Sequence, residues 1–171
     1  FLNLSTHEIN KIIDEYSLND ADELLAFIDN NPLNLGGASL ARIAELTNSK
    51  REKNEAYYTN KYILNEIYTD LPDFDKDEIS ILEPSVGVGN FLPFLYRKYE
   101  SVKRVKIDVC DIDEKNLSIL KCLLQKQEIP KNVEIRYICD DFLLHEMDKH
   151  YDLVAGNPPF AKLKAAEAKN S

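Results

Sequence analysis

Apolar positions in the first third of the chain recur at helical spacing. Ile9, Ile12, Ile13 and Tyr16 form one stripe; Leu24, Leu25, Phe27 and Ile28 form a second, ahead of Pro32. Ser5 followed by Glu8 is a capping box that predicts the start of the first helix, and Asn19 or Asp20 starts the second. After the break at Gly36-Gly37, Leu40, Ile43, Ala44 and Leu46 predict a third. The run Asn-Ser-Lys-Arg-Glu-Lys-Asn at 48–54 has no apolar residue and predicts a polar linker, its Lys50, Arg51 and Lys53 reading first as a solvated connection. A helix is predicted from Lys61, with Tyr62, Ile63, Ile67 and Leu71 on its apolar side and Thr59 or Asn60 as its N-cap. A hydroxyl and free N–H groups at such a helix start also suit a ligand carboxylate.

From Glu78 the pattern changes. Ile79–Leu82, Val105–Cys110, Val133–Ile138 and Tyr151–Ala155 read as strands; Phe91–Tyr99 and Glu114–Gln127 read as helices between them, with a short turn or helical segment before the last strand. Strands alternating with helices predict an α/β fold, a partial, mostly parallel sheet with ligands at the carboxyl ends of its strands. Residues 1–55 are thus expected to be a helical segment and residues 56–171 an α/β domain.

Each strand delivers a polar residue to that edge: Glu83, Asp111, Asp140-Asp141 and Asn157. Any one of them could be a helix cap. Four converging on one crevice point to a site. The first turn, Glu83-Pro84-Ser85-Val86-Gly87-Val88-Gly89, has two glycines that permit a close backbone approach by a ligand, but position 92 is Leu, so the dinucleotide fingerprint is incomplete. Acidic side chains around this turn would repel a pyrophosphate and suit a cation bearing ribose and adenine, such as S-adenosylmethionine.

The last strand runs into Asn157-Pro158-Pro159-Phe160. Two prolines stiffen the backbone, leaving an amide oxygen, a carbonyl and an aromatic ring able to hold a planar amine. Composition narrows the field further. The 171 residues carry 21 Lys and Arg against 30 Asp and Glu, a net charge of −9 that opposes contact with a polyanion through this body alone. No apolar run reaches membrane-spanning length. The three cysteines, Cys110, Cys122 and Cys139, have neither metal-ligand spacing nor an even count, which makes a reducing cytoplasm the default. The absence of a starting Met and of a further strand after residue 160 reads as an excerpt of a longer protein.

Together these residues resemble the DNA adenine methyltransferases that act on the exocyclic amine, in the class whose cofactor motifs precede the catalytic one. Tyr57-Tyr58-Thr59 is similar to the N-terminal cofactor motif, although Asn60 stands where the family often has Pro. Leu82 to Phe91 is similar to the glycine-rich loop, and Gly156 to Phe160 to the catalytic tetrapeptide. The resemblance implies a Rossmann-like sheet of order 3-2-1-4 and S-adenosylmethionine as cofactor. It implies that Thr59 and the backbone from Ser85 through Gly87 to Gly89 hold the methionine part, Asp111 the ribose hydroxyls, Ile112 one adenine face, Asp141 the adenine amino group and Phe142 its edge, with Tyr58, Glu83 and Pro84 also in the cofactor site. Catalysis falls to Asn157, Pro158, Pro159 and Phe160. Double-stranded DNA is then the substrate, gripped by a recognition domain outside these residues, with a restriction or specificity subunit as a candidate further partner. Enzymes methylating a release-factor glutamine or amines of RNA bases use the same tetrapeptide, and the Tyr-Tyr-Thr segment before the glycine-rich loop favours DNA over them. A non-catalytic cofactor-binding subunit would show an eroded tetrapeptide, whereas here it is intact.

Overall fold

The structure, a computed structural model, describes residues 3–51, 71–84, 87–89, 91–140 and 151–155. Three helices open it: α1 (Thr6–Tyr16), α2 (Ala21–Asn30) and α3 (Gly37–Arg51). The capping box forms as the sequence predicts, with Glu8 N–H donating to Ser5 Oγ at 3.2 Å and Ser5 N–H to Glu8 Oε2 at 2.7 Å. Asp20, rather than Asn19, caps α2, its Oδ1 accepting the N–H groups of Asp22 and Glu23, each at 3.0 Å. Both helices end on a residue in the left-handed region, Ser17 (φ 56°) and Asn31 (φ 43°). The side chain of Asn31 then bridges to the backbone N–H and C=O of Leu35, closing the turn that leads to α3. One expectation needs correction. Residues 48–51 continue α3 instead of starting the predicted linker. None of them is Gly or Pro, and Lys and Arg sustain a helix without any apolar stripe. Residues 52–54, and the helix predicted from Lys61, lie outside the described residues.

The second part holds β1 (Glu78–Glu83), α4 (Leu92–Lys98), β2 (Arg104–Asp111), α5 (Glu114–Gln125), β3 (Val133–Cys139) and β4 (Leu153–Val154). The strands form one four-stranded sheet, order β3-β2-β1-β4, every pair parallel. Residues alternate between faces along a strand. Ile79 and Ile81 of β1 therefore join Val105, Ile107 and Val109 of β2 on the face covered by Leu92 and Leu95 of α4 and Leu117, Leu120 and Leu124 of α5.

Helix α5 is apolar on more than that side. Ile119 and Leu123 pack into a second core with Ile9, Ile13, Leu24, Phe27, Ile28, Leu40 and Ile43 from α1, α2 and α3. A helix buried on two sides needs apolar residues well beyond a single stripe. The helical segment thus sits directly on a crossover helix of the sheet, with Lys115 Nζ 3.2 Å from Asp22 Oδ2 and Lys126 Nζ 3.2 Å from the Asp29 carbonyl at its margin.

Polar contacts set the base of β4, whose ladder with β1 is short. Asp152 accepts Ser80 N–H at 2.9 Å on Oδ2 and pairs with Lys76 on Oδ1. Tyr151 OH donates to Asp108 Oδ2 at 2.6 Å, a carboxylate that Arg136 also grips through Nε and Nη2 at 3.1 and 2.6 Å. Lys76, and after it the Ser80 N–H, holds the Asp152 carboxyl below its ordinary 3.8. A carboxyl lowered in the folded state stabilises fully above its ordinary value and loses that contribution as pH falls through the lowered one. Urea titrations should therefore show Asp152→Asn less stable than the native chain by a constant amount above about pH 5, with the two curves converging as pH falls through the lowered value. A gap that persists at the acid end would assign Asp152 a role independent of its charge.

Candidate active site

Glu83 ends β1 and Asp111 ends β2, so the parallel register that pairs Glu83 with Val109 brings both to the carboxyl edge of the sheet. Both are buried, at 1% and 8% exposure, in positions where a carboxylate must be held by donors or neutralised. The Asp111 side chain is held. Its Oδ2 accepts Gly87 N–H at 3.3 Å from the glycine-rich turn, and its Oδ1 accepts Asp113 N–H at 2.9 Å, with Asn116 Nδ2 at 3.5 Å. Capping of α5 is performed by the neighbouring Asp113, whose Oδ1 accepts Lys115 N–H at 2.9 Å. Asp111 is thereby released from the cap role. A carboxylate has about four acceptor positions, so these three contacts leave room, on Oδ2, for about one ligand hydroxyl.

The turn itself is shaped by two glycines in the left-handed region, Gly87 at φ +52° and Gly89 at φ +80°. At Gly89 a Cβ would stand 2.7 Å from Leu120 Cδ1, so the backbone passes close over α5. Val88 between them packs into the helical core. Pro84 is buried at the end of β1.

Across the turn, Ile112 follows Asp111 with 62% of its surface exposed, a large apolar side chain standing at the strand edge. Val154 of β4, 47% exposed, stands at the same edge. Between β2 and β3, Asp140 N–H donates to the Asp111 carbonyl at 3.1 Å, and Cys110 Sγ–H to the Asp140 carbonyl at 3.1 Å. Burial pushes the Cys110 thiol up to about 11, which keeps it protonated and unreactive as a nucleophile. Cys139, exposed, points its Sγ toward the Ile112 carbonyl at 3.7 Å.

Of the residues expected at the site, Glu83, Pro84, Gly87, Gly89, Asp111 and Ile112 therefore gather at one edge. Tyr58, Thr59, Ser85, Asp141, Phe142, Asn157, Pro158, Pro159 and Phe160 lie outside the described residues, the last four beginning two positions after Ala155 at the end of β4. The sequence did not flag Asn48 of α3, whose Nδ2 comes within 3.9 Å of where a Cβ on Gly87 would stand. It carries no motif, and only the packing of α3 brings it there. Nor did it flag Asn116, one turn into α5, whose approach to Asp111 follows from the loop between them.

No protein-family model matches the sequence. Among curated proteins the chain is similar to the type II methyltransferase M.VspI of Vibrio sp. (strain 343), 29% identical over 98% of this chain and 42% of that protein. It is also similar to the type II methyltransferase M.CvrRI of Paramecium bursaria Chlorella virus XZ-6E, 28% identical over 66% of this chain and 26% of that protein. The chain thus spans less than half the length of the curated relatives it matches. Among solved structures, a Listeria monocytogenes protein assigned to the class I S-adenosylmethionine-dependent methyltransferases superposes with a TM-score of 0.51, at 16% identity, over 90% of this chain and 58% of that one. The fold is the Rossmann-like one of that class.

Proposed function

We propose that this chain carries the cofactor-binding and catalytic part of a methyltransferase that moves a methyl group from S-adenosylmethionine to the exocyclic amine of adenine in DNA, as the modification activity of a restriction-modification system. The observation that carries the reading is the bond between Gly87 N–H and Asp111 at the carboxyl edge of a parallel 3-2-1-4 sheet, in a chain whose fourth strand leads into Asn-Pro-Pro-Phe. The names of both curated relatives support methyl transfer. In this reading residues 1–55 are a helical segment and residues 56–171 belong to the catalytic domain, while recognition of the DNA sequence lies elsewhere in the whole protein.

The described residues fit the cofactor. Gly89 leaves no room for a side chain over α5, so the turn stays a bare backbone cradle. Between Glu83 and Phe91 there is no Lys or Arg, and the buried carboxylates of Glu83 and Asp111 favour a net cation over a phosphate. Asp111 would accept the ribose hydroxyls and Ile112 would lie against an adenine face. When bound, the cofactor supplies an electrophilic methyl group on a sulfonium. The rest is positioning: Asn157 Oδ1 and the Pro158 carbonyl accept the two amine hydrogens, draw the nitrogen lone pair out of the ring, and aim it. Phe160 stacks on a base turned out of the duplex, and Pro159 keeps the segment stiff.

The deciding experiment gives the complete protein labelled S-adenosylmethionine and, separately, DNA, RNA and release factor. Label on the adenine amine of DNA is expected; label confined to RNA or to protein would overturn the reading. Asp111→Ala should weaken the cofactor at least about tenfold, since hydrogen bonds to a charged group contribute roughly 1.5–3 kcal/mol each. Calorimetry returning an unchanged Kd would reduce Asp111 to a brace for Gly87 and Asp113.

A further inference from the structure

The glycine-rich turn is walled on one side by a part of the chain that no cofactor motif covers. Val88 packs against the core that α1, α2 and α3 share with Ile119 and Leu123 of α5, so the helical segment borders the turn. Beside it, Asn48 in the last turns of α3 brings Nδ2 within 3.9 Å of the Cβ position of Gly87. Gly87 is the residue whose N–H binds Asp111. Asn48 is itself held in place. The preceding Thr47 is wholly buried, with Oγ1 donating to the Ala44 carbonyl at 2.9 Å, and Ile43 and Ala44 beneath it are fully buried. Asn48 is half-buried, and its carboxamide makes no hydrogen bond with another described residue, leaving two N–H donors beside the turn.

We propose that Asn48 is a cofactor-binding residue whose amide N–H groups hold the carboxylate of the methionine part of S-adenosylmethionine. The proposal rests on the cofactor reading above. Chemistry favours an amide here over a cation. A Lys or Arg would pair with Glu83 or Asp111 and cancel the negative edge that suits a sulfonium, whereas Asn donates to a carboxylate and adds no charge. The helical segment then becomes one wall of the cofactor site, through Val88 for the shape of the turn and Asn48 for the ligand.

The test titrates the complete protein with S-adenosylmethionine and with methylthioadenosine, which keeps the adenosine and lacks the amino acid. Asn48→Ala should weaken the first about five- to tenfold and leave the second unchanged, with thermal midpoint unaltered. Asn48→Asp keeps the side-chain volume and places a like charge against the ligand carboxylate, so it should weaken S-adenosylmethionine further than Asn48→Ala while again sparing methylthioadenosine. Equal loss of both ligands, or no loss of either, would overturn the assignment while leaving the cofactor reading intact. Failure of the unaltered chain to bind S-adenosylmethionine would overturn both.

Discussion

Asn157→Ala in the complete enzyme is expected to lower methyl transfer by about 10²–10³-fold while cofactor affinity stays within about twofold of the native value. The separation of the two readouts follows from where the amide oxygen would act. An adenine amine donates its lone pair into the ring and is a poor nucleophile; two acceptors on its hydrogens favour a pyramidal nitrogen with that pair exposed. Those hydrogen bonds strengthen as the nitrogen gains positive character, so their loss falls on the transition state and scarcely on binding of the cofactor. Single-turnover rates and cofactor titration on the same preparation separate the effects. More than about a tenth of the native rate would remove Asn157 from the mechanism, and a parallel loss of cofactor would make it a structural residue of the turn.

Gly89→Ala should cost about 2–5 kcal/mol of stability and weaken the cofactor together with it. Two costs combine. A side chain at φ +80° is strained by roughly 1–2 kcal/mol, and the new methyl would stand 2.7 Å from Leu120 Cδ1. Leu120 is fully buried at the centre of the sheet core and can yield only by disturbing its neighbours, an overpacking cost of about 1–3 kcal/mol. Gly36→Ala is the control, because nothing lies within 4 Å of its Cβ position and its φ lies outside the left-handed region. Urea unfolding midpoints for the two variants should differ widely. Equal, small effects would mean that the turn can shift away from α5, and the tight cradle would be wrong.

The strands, their parallel order and the polar residues at their ends could be read from the sequence because each has a local signature. Short β-branched runs alternate with helical stripes, and the handedness of crossovers leaves few arrangements for four strands. Glu83 and Asp111 were legible as strand-end residues for that reason. Other features depend on contacts that local pattern does not encode. The continuation of α3 through Arg51 has no apolar mark, since residues 48–51 are all polar. Asn48 reaches the turn only because α3 docks beside it. The docking itself left a faint sign: Leu117, Ile119, Leu120, Cys122, Leu123 and Leu124 are too many apolar positions for a helix with one buried face. Tyr151 meeting Asp108 across β1 had no sign at all, because β4 lies beside β1 only once the sheet is assembled.

Because α5 lends opposite flanks to two cores, neither core can melt without stripping a face of the helix that the other requires. Unfolding should then be a single cooperative event, with the N-terminal helices and the sheet losing amide protection together rather than as separate foldons. A ligand seated at the sheet edge would slow hydrogen exchange in Ile9, Ile13 and Leu24, none of which it touches, by the same free energy that it lends to the whole.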